Sequence, residues 1–264
     1  VYKRQGDVFY TDQQGNWVAT NSLHHMRRGA FFHHAEALAS MDLDGSPISG
    51  VESVPNGLPL PQAIERFPQL KPPAVWFPYK KVGQSATDIM LDESGGKFGP
   101  FAGQFFVGEF TLAQVNRVFL EKVDGEYQGA CFPFRSGFAS AVLRLSQNAE
   151  GKVFAGLSNR GWSSLGRASY GLQRLEWRGT TPFEIKEMRA KPDGFELVFT
   201  KPVDKTSATA TASYAMESYT YHYHSTYGSP EILKEQLTIE KAELSPDRLQ
   251  VRLQVNGLRP LFVH

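Results

Sequence analysis

Two arginines, a polar turn and a pair of histidines are the residues of this chain whose types and spacing suit chemistry. Arg135 and Arg160 carry guanidinium forks that can grip a carboxylate bidentately. Arg160 sits in the loop Ser158-Asn159-Arg160-Gly161-Trp162, beside an aromatic ring. The plainer reading of each is a structural arginine bridging blades. Gln14, Gly15 and Asn16 form a polar turn, and carbonyl and amide oxygens of this kind suit a hard cation such as calcium. The plainer reading is a solvated turn. His222 and His224, two apart in strand-like sequence, point the same way, with Tyr219, Tyr221 and Tyr223 on the opposite face. With a third ligand from elsewhere they would hold copper or zinc. A patterned, partly exposed strand face explains the same spacing.

The remaining groups carry less. His24-His25 and His33-His34 are adjacent pairs that point to opposite faces of a strand and rarely share one metal. Asp42, Asp44 and Gly45 resemble part of a calcium loop, but the downstream glutamate of an EF-hand is missing. Asp88, Asp92 and Glu93 read as solvated turn residues. Gly95-Gly96 is followed by no helix and so makes no dinucleotide fingerprint. No Ser-His-Asp or Gly-x-Ser-x-Gly arrangement stands out.

The elements that must position these groups read as short strands. Residues 2–10, 74–78, 103–109, 116–121, 139–146, 152–158 and 171–177 are rich in Val, Phe, Leu and Tyr and bounded by turn formers. Val123-Asp124-Gly125 and Ala149-Glu150-Gly151 are hairpin-like. Eight of the sixteen prolines fall in residues 45–78, which excludes a central strand or long helix there. An ordered surface excursion is expected, with one helical turn near Ala63–Arg66. Beyond the Arg178–Pro182 linker, residues 183–190, 194–200, 213–224, 237–244 and 248–255 alternate as five strands of a compact sandwich of immunoglobulin-like type. Short strands without intervening amphipathic helices predict an all-β chain, a sandwich or a propeller, rather than βαβ units. GDVFYTDQQGN at 6–16 and GKVFAGLSNRG at 151–161 echo one another weakly, as successive propeller blades do.

Bulk composition sets limits. The 264 residues allow one large or two ordinary domains, and 41% hydrophobic with 21% charged residues is ordinary for a folded protein. A formal charge of +1 gives no reason to expect nucleic acid or an anionic membrane surface. No apolar run approaches the roughly eighteen residues of a membrane helix. The single Cys131 excludes an internal disulfide, a multi-cysteine zinc site and the attachment motif of a c-type haem. Both ends of the chain, at Val1 and His264, are read as cut ends.

Gly6-Asp7-Val8-Phe9-Tyr10-Thr11-Asp12-Gln13-Gln14-Gly15-Asn16, followed by Asn21-Ser22-Leu23 and Gly29-Ala30-Phe31-Phe32-His33-His34, resembles the characteristic stretch of the glucose/sorbosone dehydrogenase family. Asn16 replaces a usual proline, and His33-His34 replaces a usual Gly-Trp. GGKFGPFAGQFFVGEF, VNRVFLEKVDGEYQGACFPFRSGF, GLSNRGW and YGLQRLEW are similar to the propeller of large, secreted, multi-domain members, many with a cytochrome module. A module like FTKPVD…SYTYHYHSTYGSPE…LSPDRLQVRLQVNGLRP follows that propeller, as it does here. The resemblance implies a partial six-bladed-type β-propeller over 1–180, then an immunoglobulin-like β-sandwich over 181–264. It implies a periplasmic or secreted location, and pyrroloquinoline quinone with calcium as cofactors. Gln14, Gly15, Asn16, Arg135 and Arg160 would then be cofactor contacts.

Two functions follow. The first is a component or fragment of a quinoprotein-like sugar or aldose dehydrogenase acting on a sugar or other small molecule, whose general-base histidine lies in an earlier blade that this sequence does not contain. The second is a non-catalytic propeller and sandwich scaffold, or a binding subunit, with other protein segments or subunits completing the two or three blades present. Neither calls for nucleic acid or a membrane span.

Overall fold

The computed structural model of the chain describes residues 2–4, 6–46, 51 and 53–264. Val1, Gln5 and part of the proline-rich stretch (47–50 and 52) therefore lie outside the described residues. Strand makes up 46% and helix 8%, so the chain is all-β as expected.

The chain begins with β1 (Tyr2–Arg4), β2 (Asp7–Asp12) and β3 (Asn21–Met26). After a 3₁₀ turn (Ala35–Ser40), the two-residue strand β4 (Leu58–Pro59) and helix α1 (Leu60–Arg66), β5 (Val75–Phe77) returns to pair with β3. These form a first antiparallel sheet of order β1-β2-β3-β5. A second is a meander in chain order: β6 (Ala86–Leu91), β7 (Phe105–Glu109), β8 (Gln114–Val123) and β9 (Glu126–Ser136). A third follows as β10 (Val142–Gln147), β11 (Val153–Ser158) and β12 (Tyr170–Leu175). The echoing segments at 6–16 and 151–161 contain β2 and β11, each the second strand of its sheet.

The three sheets stack through two cores, and the middle one is buried on both faces. Phe105 and Val107 join Phe9, Leu23 and Phe77 of the first sheet. Phe106, one residue out of phase, joins Val142, Val153 and Leu157 of the third. That division follows from the two-residue period of a strand, and it explains why β7 reads FFVGE without polar alternation.

The C-terminal strands are β13 (Ile185–Lys191), β14 (Gly194–Phe199), β15 (Met216–Thr220), β16 (His222–Tyr223), β17 (Ile232–Leu244) and β18 (Gln250–Asn256), with helix α2 (Lys205–Thr209) between β14 and β15. The five strands expected in two layers share one hydrogen-bonded order, β13-β14-β18-β17-β15. Strand β17, thirteen residues long, serves both halves: its first part, to Leu237, pairs with β15, and its second, from Thr238 and with a bulge at Ile239/Lys241, pairs with β18. All five strands contribute to one core around Val251, Leu253 and Ile239, which Ala208 of α2 also joins. Asp204 caps α2, accepting from the Ser207 amide at 2.9 Å.

The proline-rich excursion does more than cross the surface. Leu60 and Ala63 of α1, with Phe67 and Leu70, bury against Trp17 and Tyr223. Strand β16 pairs with β4, and the Leu60 amide donates to the Tyr221 carbonyl at 2.8 Å. Residues on both sides of the expected 180/181 boundary thus form one packed seam. Among the described residues no helix is long and apolar enough to cross a membrane.

Candidate functional site

Two of the candidate groups, distant in sequence, meet at this seam. The turn carrying Gln14, Gly15 and Asn16 follows β2 and lies against the segment after β16. The Gly15 amide donates to the Val18 carbonyl at 3.1 Å. The Gly15 carbonyl accepts from the Val18 amide at 3.2 Å and the Gly228 amide at 2.9 Å. Gln14 donates from Nε2 to the Ala19 carbonyl at 3.1 Å. Asn16 bridges to Tyr227, and the Trp17 amide donates to the His224 carbonyl at 3.0 Å. Gly228 is required here: its φ is +64°, and a Cβ would lie 2.6 Å from Gln14 Nε2.

His222 and His224 do point the same way, with ring centroids 5.7 Å apart. Tyr219, Tyr221 and Tyr223 face inward and are buried. His224 Nε2 lies 2.8 Å from the Gly228 carbonyl. Among the described residues no group of three His, Cys, Asp or Glu side chains is placed to hold a metal ion. The Gly15 carbonyl already accepts two hydrogen bonds, and the Gln14 amide nitrogen is committed to Ala19. The Gly15 carbonyl and the Gln14 amide nitrogen of this turn are thus engaged within the protein.

One histidine of each adjacent pair is buried beside this seam. His24 is fully buried, stacked on Tyr10, with its centroid 5.3 Å from that of His33. Its Nε2 is 3.0 Å from Ser22 Oγ. His33, at φ +61°, donates from Nε2 to the Lys71 carbonyl at 3.1 Å, and its own carbonyl accepts from the Tyr223 hydroxyl at 2.8 Å. Burial lowers the pKa of both rings, His33 to about 4 and His24 well below the usual histidine value. His25, on the opposite face of β3, instead meets Asp7 at 3.1 Å.

Arg135 and Arg160 lie away from the seam and apart from each other. Arg160 is exposed, on a loop pinned by Trp162, whose indole donates to Ser85 Oγ at 3.0 Å and Thr111 Oγ1 at 3.1 Å. Arg135, at the end of β9, stacks on Phe134 at 4.3 Å and approaches Glu184 at 3.9 Å. It lines a cleft of about 430 Å³ together with Phe134, Arg174, Glu176, Trp177 and Arg178. A second hollow of about 300 Å³ continues past Trp177 and Arg178 toward Lys152.

The sequence reading missed the most deeply held charges. Arg117 is fully buried between the rings of Phe101 and Phe132, at 4.1 and 4.2 Å. It donates to Gln104 Oε1 and to the carbonyls of Lys186 and Ile185 at 2.6, 2.8 and 2.6 Å. Burial lowers its pKa to about 10, which leaves it charged at neutral pH. Glu109, also fully buried, accepts from the amides of Gln84 at 2.8 Å, Ser85 and Leu112. Burial raises its pKa against those donors. For Glu109 the available signal was a lone charge at the end of the apolar strand FFVGE; Arg117, among the polar residues of QVNRVFLEKV, gave none. Comparison with known proteins finds no matching family model, no similar curated protein and no similar solved structure.

Proposed function

We propose that this chain is a non-catalytic scaffold or binding segment of a larger assembly, its three meander sheets being consecutive blades of a β-propeller. In this reading residues 181–264 are the sandwich-type module that follows the propeller, its two layers being the arms of the sheet bent at β17. The assembly belongs outside the cytoplasm, as the dehydrogenase-like resemblance implies. Support comes from the stacking of sequential antiparallel sheets, with the middle one buried on both faces.

One observation carries the binding role. The third sheet turns Val153, Ala155 and Leu157 toward the second, and its other face is open. There Tyr170 is 81% exposed and Leu172 is 70% exposed, paired with Ser158 and Gly156 on β11. In a propeller the next blade covers this face, and an exposed apolar sheet face is an association site. The 14–16 turn, which a dehydrogenase reading would set against a cofactor, packs through its backbone on the C-terminal segment.

Sedimentation velocity of the chain alone tests the proposal. It should self-associate with rising concentration, and Tyr170→Glu with Leu172→Lys should return it to monomer. A wild-type chain that stays monomeric at every concentration overturns the proposal. So does sugar-dependent dye reduction on adding pyrroloquinoline quinone and calcium.

A further inference from the structure

The cleft beside Arg135 is a second site, built on residues other than Tyr170 and Leu172, and its chemistry can be read directly. Trp177 stands between the two hollows, with one part of its ring against Gly99 and 39% of the residue exposed. Its indole nitrogen is committed to the Thr180 carbonyl at 3.1 Å, so what it offers a ligand is its apolar ring. Arg174 is held at 3.2 Å from Glu176, which also meets Lys152 at 3.5 Å. Arg135 leans toward Glu184. Arg178 is exposed, and among the described residues no carboxylate pairs with it.

A ring platform, one unpaired guanidinium and a carboxylate that can still accept hydrogen bonds select for a particular ligand. An exposed Trp ring takes the C–H face of a sugar or a base. Arg178, backed by Arg135, takes a carboxylate bidentately. Glu176 accepts from hydroxyl groups. A DNA strand would meet the cations of this groove with its phosphates, but it has no hydroxyl along its length to donate to Glu176 and Glu150. A hydroxyl-rich chain with one carboxylate per ring uses all three features. The volumes on either side of Trp177 suit a ligand that runs past it.

We propose that this groove binds a uronate-type oligosaccharide, with one sugar ring on Trp177 and its carboxylate on Arg178. Titration calorimetry of the whole chain with trigalacturonate tests this, with a neutral oligosaccharide of equal length and a short oligothymidylate as comparisons. Trigalacturonate should give saturable binding, about tenfold tighter than the neutral sugar. Arg178→Gln should weaken it about tenfold, and Trp177→Ala should weaken it further. The circular dichroism of Arg178→Gln should be unchanged, because that side chain is exposed. The proposal is overturned if trigalacturonate gives no heat, if the neutral sugar or the oligothymidylate binds as well, or if Arg178→Gln binds as the native chain does. Sedimentation behaviour is a separate readout, so this site and the assembly role can fail independently.

Discussion

At the scale of single residues, the buried histidines make the fold sensitive to acid. His33 is enclosed by Trp76, Tyr223 and His24, with its Nε2 proton given to Lys71. A second proton would put a charge where, among the described residues, no carboxylate pairs with it; Asp12 is engaged with His34 at 3.6 Å. In the unfolded chain the ring takes that proton near pH 6.5, and in the fold only near 4. The unfolded state therefore binds more protons between those values. Stability from this group is complete above pH 6.5, is lost as pH falls toward 4, and levels below. The loss from His33 is about 3 kcal/mol, and His24 adds to it in the same direction. Urea midpoints measured from pH 7.5 to 4 should show this fall. His33→Asn keeps a residue that tolerates positive φ and should flatten the fall. An unchanged slope in that variant would remove His33 as its cause.

At the scale of elements, Arg117 joins β8 to β13 across the linker. Its fork satisfies the carbonyls of Ile185 and Lys186 and the Gln104 amide oxygen. Arg117→Met should cost about 3 kcal/mol, because the Ile185 carbonyl and the Gln104 amide oxygen lose this donor at once and the Lys186 carbonyl keeps only Gln104. Arg117→Lys should recover only part of this, since an ammonium lacks the planar fork. Equal urea midpoints for Arg117→Met and the native chain would contradict the assignment. Strands with dense β-formers, such as β7, β11 and β18, were legible in the sequence, as was a helical turn near Ala63. Strand β9 was not: Gly129 and Pro133 interrupt EYQGACFPFRS, and it persists because it lies at the sheet edge, where a missing donor is tolerated. Strand β3 was hidden by its polar sequence NSLHHM, four residues of which are buried. The candidate site was legible residue by residue but not in its grouping. The spacing of His222 and His224 gave their shared face, while their meeting with Gln14 and Gly15 depends on chain return over some two hundred residues.

At the scale of the whole molecule, the question is whether residues 181–264 unfold on their own. A linker of Arg, Gly, Thr and Pro suggests independence, and the contacts argue against it. Tyr219 and Tyr221 pack with Ala19 and Trp76, and Tyr223 packs with Trp17 and Leu60. On the other side, β13 is held by Arg117 and by the Gln104 side chain, which donates to the Lys186 carbonyl at 2.8 Å. The C-terminal strands are thus fastened to the first and second sheets at separate places, and releasing either exposes large aromatic surface. Calorimetry should therefore show a single transition, coincident with the loss of aromatic circular dichroism. Leu60→Ala makes the sharper test, because Leu60 lies in the N-terminal half and is 2% exposed. The cavity should cost about 2–5 kcal/mol and lower the one transition as a whole, with the C-terminal strands melting at the same reduced temperature. Two resolved transitions, of which Leu60→Ala moves only the one assigned to the first sheet, would show that the seam is a contact between independent domains.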